Sequence, residues 1–150
     1  MSLQIEVFNC QGKIHDPRAI ARMAKRVWSQ ESKRAAKLAI IFVDEAYITQ
    51  LNQRFLNRNT VTDVIAFPLS EQREAIFEGE IYVCTAQVER QARQLQVGFN
   101  DELLRMVIHG MLHFVGYGDH SEKEKQAMTA REDHYLEMLQ MRDSEVILSN

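Results

Sequence analysis

Residues 109–120 read HGMLHFVGYGDH and carry the clearest chemical pattern in the chain. His109 and His113 are four residues apart on a predicted helix, a spacing that places both imidazoles on one face, one turn apart. The apolar positions beside them form a stripe that can pack in a core. Gly116 and Gly118 end the helix and let the chain double back. The segment predicts a helix that is anchored by one face and lines a site with the neighbouring row.

A metal site on this helix needs a third ligand from the following chain, because a straight helix cannot surround an ion. Asp119 and His120 come directly after the glycine break. Three protein ligands and an open fourth position are typical of catalytic zinc. Imidazole suits Zn²⁺, although Ni²⁺, Co²⁺ and Fe²⁺ accept the same donor. We predict one zinc ion per chain, held by His109, His113 and His120.

The pattern also differs from that of a zinc peptidase. Such an enzyme has a glutamate directly after its first histidine, where the side chain activates water. This chain has Gly110 at that position, so the usual peptidase base is missing. A closed structural zinc site is the other alternative, but it needs a fourth protein ligand and no cysteine lies nearby to supply one.

The elements around this segment predict an α+β fold, with a mixed sheet of about four strands packed with helices in one domain over residues 1–150. Asp16 is expected to cap the first helix and Ser121 the last, whereas Gly98 ends the third helix and Asn100 caps the fourth. Strands are expected at about 3–8, 38–43, 62–68 and 78–84, and helices at about 17–34, 45–55, 85–97, 101–115 and 121–140.

The composition predicts a globular protein of the cytoplasm. Hydrophobic residues make up 45% and charged residues 26% of the 150 residues, which excludes a disordered chain. No apolar run is long enough to cross a bilayer, so no membrane partner is expected. The N-terminus has none of the features of a signal peptide. Two cysteines, Cys10 and Cys84, do not make a disulfide framework.

The charge is unevenly distributed along the chain. Residues 1–60 carry ten Lys and Arg against five Asp and Glu, a net +5, and the remaining residues carry eight against sixteen, a net −8. Part of the positive charge forms a row on the first predicted helix, made of Arg18, Arg22, Lys25 and Arg26. Such a row can bind phosphates of RNA, or it can simply be the solvated face of the helix.

On these residues the chain resembles the YbeY endoribonucleases, bacterial factors of ribosomal RNA maturation. HGMLHFVGYGDH is similar to the histidine signature of that family, and TDVIAFP at 62–68 is similar to its TDVLSFP segment. Leu51-Asn52 and GEIYVC at 79–84 resemble two further family segments. The resemblance implies a zincin-like fold and a zinc-dependent, single-strand-specific RNase. Its implied partners are ribosomal RNA and the small ribosomal subunit, with roles in 3′-end maturation and ribosome quality control.

The chain departs from that family at two positions that bear on the site. The family has five residues between its second and third histidine, whereas six separate His113 from His120. We interpret Gly118 as the inserted residue, which keeps His120 as the third ligand and leaves Asp119 as the alternative. The family also has a catalytic arginine four residues after the asparagine of Leu-Asn, where this chain has Leu56.

The missing arginine must be replaced from nearby if the chain cuts RNA in the same way. Arg58 is the first candidate and Arg54 the second for binding the phosphate and offsetting its charge. Asp63 is expected either to orient a ligand histidine from behind or only to cap a strand. Two other functions stay open: a zinc hydrolase of a small-molecule ester, and a ribosome-associated protein with structural zinc.

Overall fold

The central sheet has four strands in the spatial order β1-β2-β4-β3, of which β3 alone is antiparallel to its neighbour. The structure is a computed structural model that describes residues 2–58, 60–71 and 73–140. In chain order, the elements are β1 Leu3–Asn9, α1 Pro17–Glu31, β2 Ala35–Val43, α2 Glu45–Leu56, β3 Val64–Pro68, β4 Ile76–Cys84, α3 Thr85–Leu95, α4 Phe99–Phe114 and α5 Glu122–Gln140. The predicted α+β class with a mixed sheet is confirmed.

The main core lies on one face of the sheet, beneath α1 and α4. Trp28 of α1 and Ile81 of β4 are almost fully buried there. The centre of α4 lies very close to the sheet, because a Cβ on Gly110 would be only 3.0 Å from a methyl carbon of Ile81. A glycine at this point therefore sets how closely the helix that carries the two histidines approaches β4.

The opposite face of the sheet is covered less completely. A small buried cluster joins β2, α2, β3 and β4 through Val43, Ile48, Ile65 and Cys84. Phe8 on β1 remains exposed. The unevenness fits the residue pattern, since β4 alternates between buried and more exposed positions and so presents one apolar and one more polar face.

The local signals at the helix ends are partly confirmed. Asp16 accepts the backbone N–H of Ala19 at 3.2 Å, as its predicted capping role requires. Ser121 and Glu124 form the predicted reciprocal capping box, with donor–acceptor distances of 3.0 and 3.1 Å. Across the described residues, none of the helices has both the length and the hydrophobicity that a bilayer-spanning segment needs.

The predicted ends of α3 and α4 were wrong by a few residues. Gln96, and not Gly98, adopts the left-handed conformation that ends α3, with φ 57° and ψ 43°. Gly98 is instead the extended residue that precedes α4, and Asn100 already lies inside the helix. A non-glycine residue can occupy a left-handed C-cap when the hydrogen bonds of the cap compensate, and here the backbone N–H of Gln96 donates to Arg93. Similarly, α1 ends at Glu31 rather than near 34, because Ser32 is extended.

Candidate metal centre

One row of α4 carries Arg105, His109 and His113, each four residues from the next. The neighbouring faces of the helix are buried in the core through Leu103, Val107, Ile108, Met111 and Leu112. The row is consequently fixed in place but open to solvent, with 21% of the His109 side chain and 30% of the His113 side chain exposed. The helix thus has the predicted buried face and, beside it, the predicted row of partly exposed histidines.

The two imidazoles point their Nε2 atoms at each other, at a separation of 3.0 Å. The other nitrogen of each ring is engaged by the protein. Nδ1 of His113 lies 3.0 Å from the carbonyl oxygen of Tyr117, and Nδ1 of His109 lies 2.7 Å from Oε2 of Glu132. Two nitrogens that each bind one zinc ion at about 2.0–2.1 Å lie at most about 4.2 Å apart. The separation of the Nε2 atoms is therefore compatible with a shared ion.

Asp119 completes the group. Its Oδ2 is 3.3 Å from Nε2 of His113 and 3.5 Å from Nε2 of His109. One ligand atom from each of the three residues lies within 4.8 Å of the other two. Two imidazoles and a carboxylate around one point form a donor set that suits Zn²⁺ and also other divalent transition metals such as Fe²⁺.

The structure brings Asp119, and not His120, to the two histidines. His120 is exposed, and its backbone N–H donates to Oε1 of Glu124 at 3.2 Å. Five residues separate His113 from Asp119, which is the family spacing without any insertion. The prediction of His120 as the third ligand requires Gly118 to be an inserted residue. Gly118 instead lies against Glu124, where an added Cβ would collide with the carboxylate of the capping box.

The charges around His109 act on its pKa in opposite directions. Burial lowers the pKa of His109, but the hydrogen bond and negative charge of Glu132 raise it, as do the charges of Asp119 and Asp63, and the net pKa lies above the ordinary value. Nearby on α4, burial raises the pKa of Glu102 more strongly than its hydrogen bond with Gln91 lowers it. The negative charges of Glu132, Asp119 and Asp63 that raise the pKa of His109 would also favour a bound cation.

Asp63 lies near the centre, but its hydrogen bonds serve the start of β3. Its Oδ1 accepts the backbone N–H of Val64 at 2.7 Å and the hydroxyl of Thr62 at 3.4 Å. Its negative charge contributes to the raised pKa of His109. The observed contacts correspond to the capping alternative, with an electrostatic influence on the centre in addition.

The two candidate arginines lie at the end of α2 and just after it. Arg54 is exposed, with its guanidinium carbon 5.9 Å from the centroid of the Phe55 ring. Arg58 is also exposed, and its backbone N–H donates to the carbonyl of Asn52 at 3.2 Å. Among the contacts of the described residues, neither arginine side chain reaches the three clustered ligands. Leu56, at the position of the family arginine, is 48% exposed.

The basic row of α1 also faces solvent. Arg18, Arg22 and Lys25 are exposed and Arg26 is half-buried. Arg22 makes a long ion pair with Asp16, with 3.8 Å between Nη2 and Oδ2. The buried side of α1 packs in the main core, so the row is an accessible positive surface.

Sequence reasoning missed Arg105 and Glu132. Glu132 is 23 residues from His109 and on another helix, so no local motif joins them. One signal could have found it: Met128, Glu132 and Tyr135 share a helical face at spacings of four and three. Met128 and Tyr135 are buried core residues. A lone glutamate on an apolar face predicts a specific buried partner.

Comparisons with known proteins identify the family of this chain. A family model described as "Endoribonuclease YbeY" matches residues 6–140. A protein of that name from Chlorobaculum tepidum is 34% identical over 134 residues, covering 89% of this chain and 96% of its own. Another from Karelsulcia muelleri is 38% identical over 110 residues, covering 73% and 77%. The solution structure of TM1509 from Thermotoga maritima matches with a TM-score of 0.67 at 30% identity, covering 96% of this chain and 94% of the other.

Proposed function

This chain belongs to the YbeY endoribonuclease family, and we propose that it cuts single-stranded RNA with a divalent metal ion, zinc in the first instance, bound by His109, His113 and Asp119. The observation that carries the proposal is the convergence of three ligand atoms within 4.8 Å of one another. The family makes the chain a hydrolase of RNA, and the cluster supplies the place for its chemistry.

The protein's own part in the reaction is to hold the ligands and to bind the phosphate. A bound divalent ion supplies Lewis-acid stabilisation of phosphoryl charge and activation of water. The two imidazoles are already oriented by Glu132 and by the carbonyl of Tyr117, so little reorganisation is needed when an ion binds. The site is open to solvent, as a long polymeric substrate requires.

Phosphate binding is assigned to Arg58, with Arg54 as the second candidate. Both arginines follow or end α2, and the connection from there leads to Asp63, whose charge acts on His109. An exposed guanidinium can bind a phosphate with two parallel hydrogen bonds. Because neither side chain touches the cluster without RNA, we expect the substrate to bring one of them to the site.

The cellular role that fits best is trimming of ribosomal RNA, in particular at the 3′ end of the small-subunit RNA, together with ribosome quality control. Support comes from the family resemblance and from the basic row of α1, which offers a second contact for the phosphate backbone. The expected partner is the small ribosomal subunit, and the expected compartment is then the cytoplasm.

The first test compares wild-type protein with His113→Ala in zinc content and in cleavage of single-stranded ribosomal RNA fragments. We expect wild type to bind about one zinc ion per chain and to cleave, and His113→Ala to lose both, because only two ligands remain. His15→Ala is the matched control, since His15 is an exposed histidine outside the cluster. The proposal fails if wild type neither binds a transition metal nor cuts RNA, or if His113→Ala behaves like the control.

A further inference from the structure

Glu132 places a buried carboxylate directly behind one of the two histidines. Only 5% of its side chain is exposed, although it belongs to α5, whose neighbouring residues Asp133 and His134 face solvent. Oε2 lies 2.7 Å from Nδ1 of His109, and Oε1 accepts a hydrogen bond from Nη1 of Arg105 at 2.9 Å. Both oxygens of the carboxylate are therefore engaged, one by each of two residues on the same row of α4.

A carboxylate this deeply buried persists only when it is paired and hydrogen-bonded, because the loss of its hydration must be compensated. Arg105 provides that compensation and is itself held from the other side, since its Nη2 donates to Oδ1 of Asp133 at 2.6 Å. Two adjacent residues of α5, Glu132 and Asp133, thus form ion pairs with Arg105 of α4. These ion pairs, together with the hydrogen bond to His109, fix the position of the Glu132 carboxylate.

The hydrogen bond at Nδ1 decides which nitrogen of His109 is free. A carboxylate can only accept at this position, so in the neutral ring Nδ1 carries the proton and Nε2 keeps the lone pair that faces Asp119 and His113. His113 obtains the same tautomer from a backbone carbonyl, that of Tyr117. The two imidazoles are thus oriented by different kinds of partner, and only the partner of His109 can be removed by substitution.

We propose that Glu132, held in place by Arg105, is a positioning residue that fixes the ring and tautomer of His109 and so sets the metal affinity of the site. This inference rests on the proposed metal centre. It assigns to α5 a function beyond covering the core: the packing of α5 on α4 determines whether one of the ligands is ready to bind. Carboxylates behind metal-ligating histidines act in this way in other metal sites.

A purely structural role is the competing explanation, in which Glu132 and Arg105 only join α4 to α5. The two explanations differ in what a substitution changes. Loss of a structural ion pair lowers the free energy of unfolding but leaves the affinity of the folded protein for the metal unchanged. Loss of a positioning residue lowers the metal affinity of the folded protein and alters the tautomer of His109.

The experiment measures zinc affinity by competition with a chelator for wild type, Glu132→Ala and Glu132→Gln. We expect Glu132→Ala to weaken zinc binding by about 10- to 100-fold. Glu132→Gln should lie between wild type and Glu132→Ala, because its amide oxygen can still accept from Nδ1 but has no charge. The matched control is Glu137→Gln, the same change at an exposed position of the same helix.

The second measurement follows the tautomer without metal. In metal-free protein at alkaline pH, the ¹⁵N chemical shifts of the His109 ring show which nitrogen carries the proton. We expect the proton on Nδ1 in wild type and in Glu132→Gln, and a shift of population toward Nε2 in Glu132→Ala, with His113 unchanged in all three. If Glu132→Ala does not fold, Glu132→Gln and the wild-type spectrum still test the proposal.

The inference is overturned if Glu132→Ala and Glu132→Gln, both folded, bind zinc as tightly as Glu137→Gln, or if wild-type His109 carries its proton on Nε2. These results differ from failure of the proposed function, in which wild type itself binds no zinc. A lowered melting temperature with unchanged zinc affinity would assign the ion pair a structural role only.

Discussion

The row of α4 and the segment between α2 and β3 differ in how firmly contacts hold their candidate site residues. On α4, His109 and His113 have both ring nitrogens placed by contacts of 2.7–3.0 Å, on a helix that is buried along its neighbouring faces. In the segment after α2, Arg58 is exposed, and its backbone N–H, rather than its guanidinium, donates to Asn52. Packing has therefore preorganised the proposed metal ligands, whereas the proposed phosphate-binding group would be placed by the substrate.

The backbone of the segment after α2 is nevertheless held in place by hydrogen bonds to Asn52. Asn52 is buried, and its side-chain amide donates to the carbonyl of Thr60 at 2.9 Å and to its hydroxyl at 3.1 Å. Its backbone carbonyl accepts from Arg58, while Asn57 turns the chain in a left-handed conformation with φ 55°. Asn52 belongs to the Leu-Asn segment that is similar to the family segment. Its hydrogen bonds to Arg58 and Thr60 hold the backbone that follows α2.

The largest effect is expected at Asp119, and it tests whether Asp119 is the third metal ligand beside His109 and His113. Asp119→Ala removes one of three proposed ligands and should weaken zinc binding by more than about 100-fold. This loss of affinity exceeds the loss expected when a group that only hydrogen-bonds to a ligand, such as Glu132, is removed. His120→Ala should bind zinc as wild type does, because His120 lies outside the cluster. Chelator competition on the two variants measures both affinities. A reversed order, with His120→Ala the weaker binder, would restore the third ligand that the sequence favoured.

The next largest effect is expected at Asn52, and it tests whether the hydrogen bonds of Asn52 hold the segment after α2. Asn52→Ala should lower the free energy of unfolding by about 1–3 kcal/mol, because it removes the two hydrogen bonds that the buried amide donates to Thr60. RNA cleavage should also fall while the zinc content stays near one per chain, since the metal ligands are on another element. Denaturant unfolding and metal analysis on the same samples measure the two effects. Gln53→Ala, an exposed neighbour, is the control.

A smaller effect is expected at the arginines themselves. Arg58→Ala should lower kcat/KM for RNA cleavage by about tenfold, because one charged hydrogen-bond donor to phosphate is removed, with stability within about 0.5 kcal/mol of wild type. Arg54→Ala should have a weaker effect. Leu56→Arg, at an exposed position where the family has its arginine, should raise activity. Equal activity of Arg58→Ala and wild type would transfer the role to Arg54.

The smallest effect is expected on the basic row of α1, which is remote in the chain from both regions. The double variant Arg18→Ala/Lys25→Ala should weaken RNA binding several-fold and reduce the slope of log K against log salt by about 0.7 for each phosphate that the protein no longer neutralises. Binding titrations at several salt concentrations measure the slope. Unchanged affinity and slope would leave the row as a solvated helix face.

Much of the fold could be predicted because its signals are local. The apolar run at 38–43 in β2, the caps at Asp16 and Ser121 and the helical spacing of the histidines depend only on neighbouring residues. The ends of α3 and α4 were misplaced because Gln96, rather than a glycine, adopts the left-handed cap. That choice depends on hydrogen bonds to the preceding turn, which residue preferences alone do not show.

The α+β class, the family and the two histidines on one helical row follow from the sequence alone, since periodicity and motif spacing reflect the geometry of a single helix or strand. The meeting of Asp119 with His109 and His113, and the place of Glu132 behind His109, depend on the tertiary structure. The path of the loop after Gly116 and the packing of α5 on α4 bring these groups together. Such contacts join residues on separate elements, and side-chain packing in three dimensions fixes their distances.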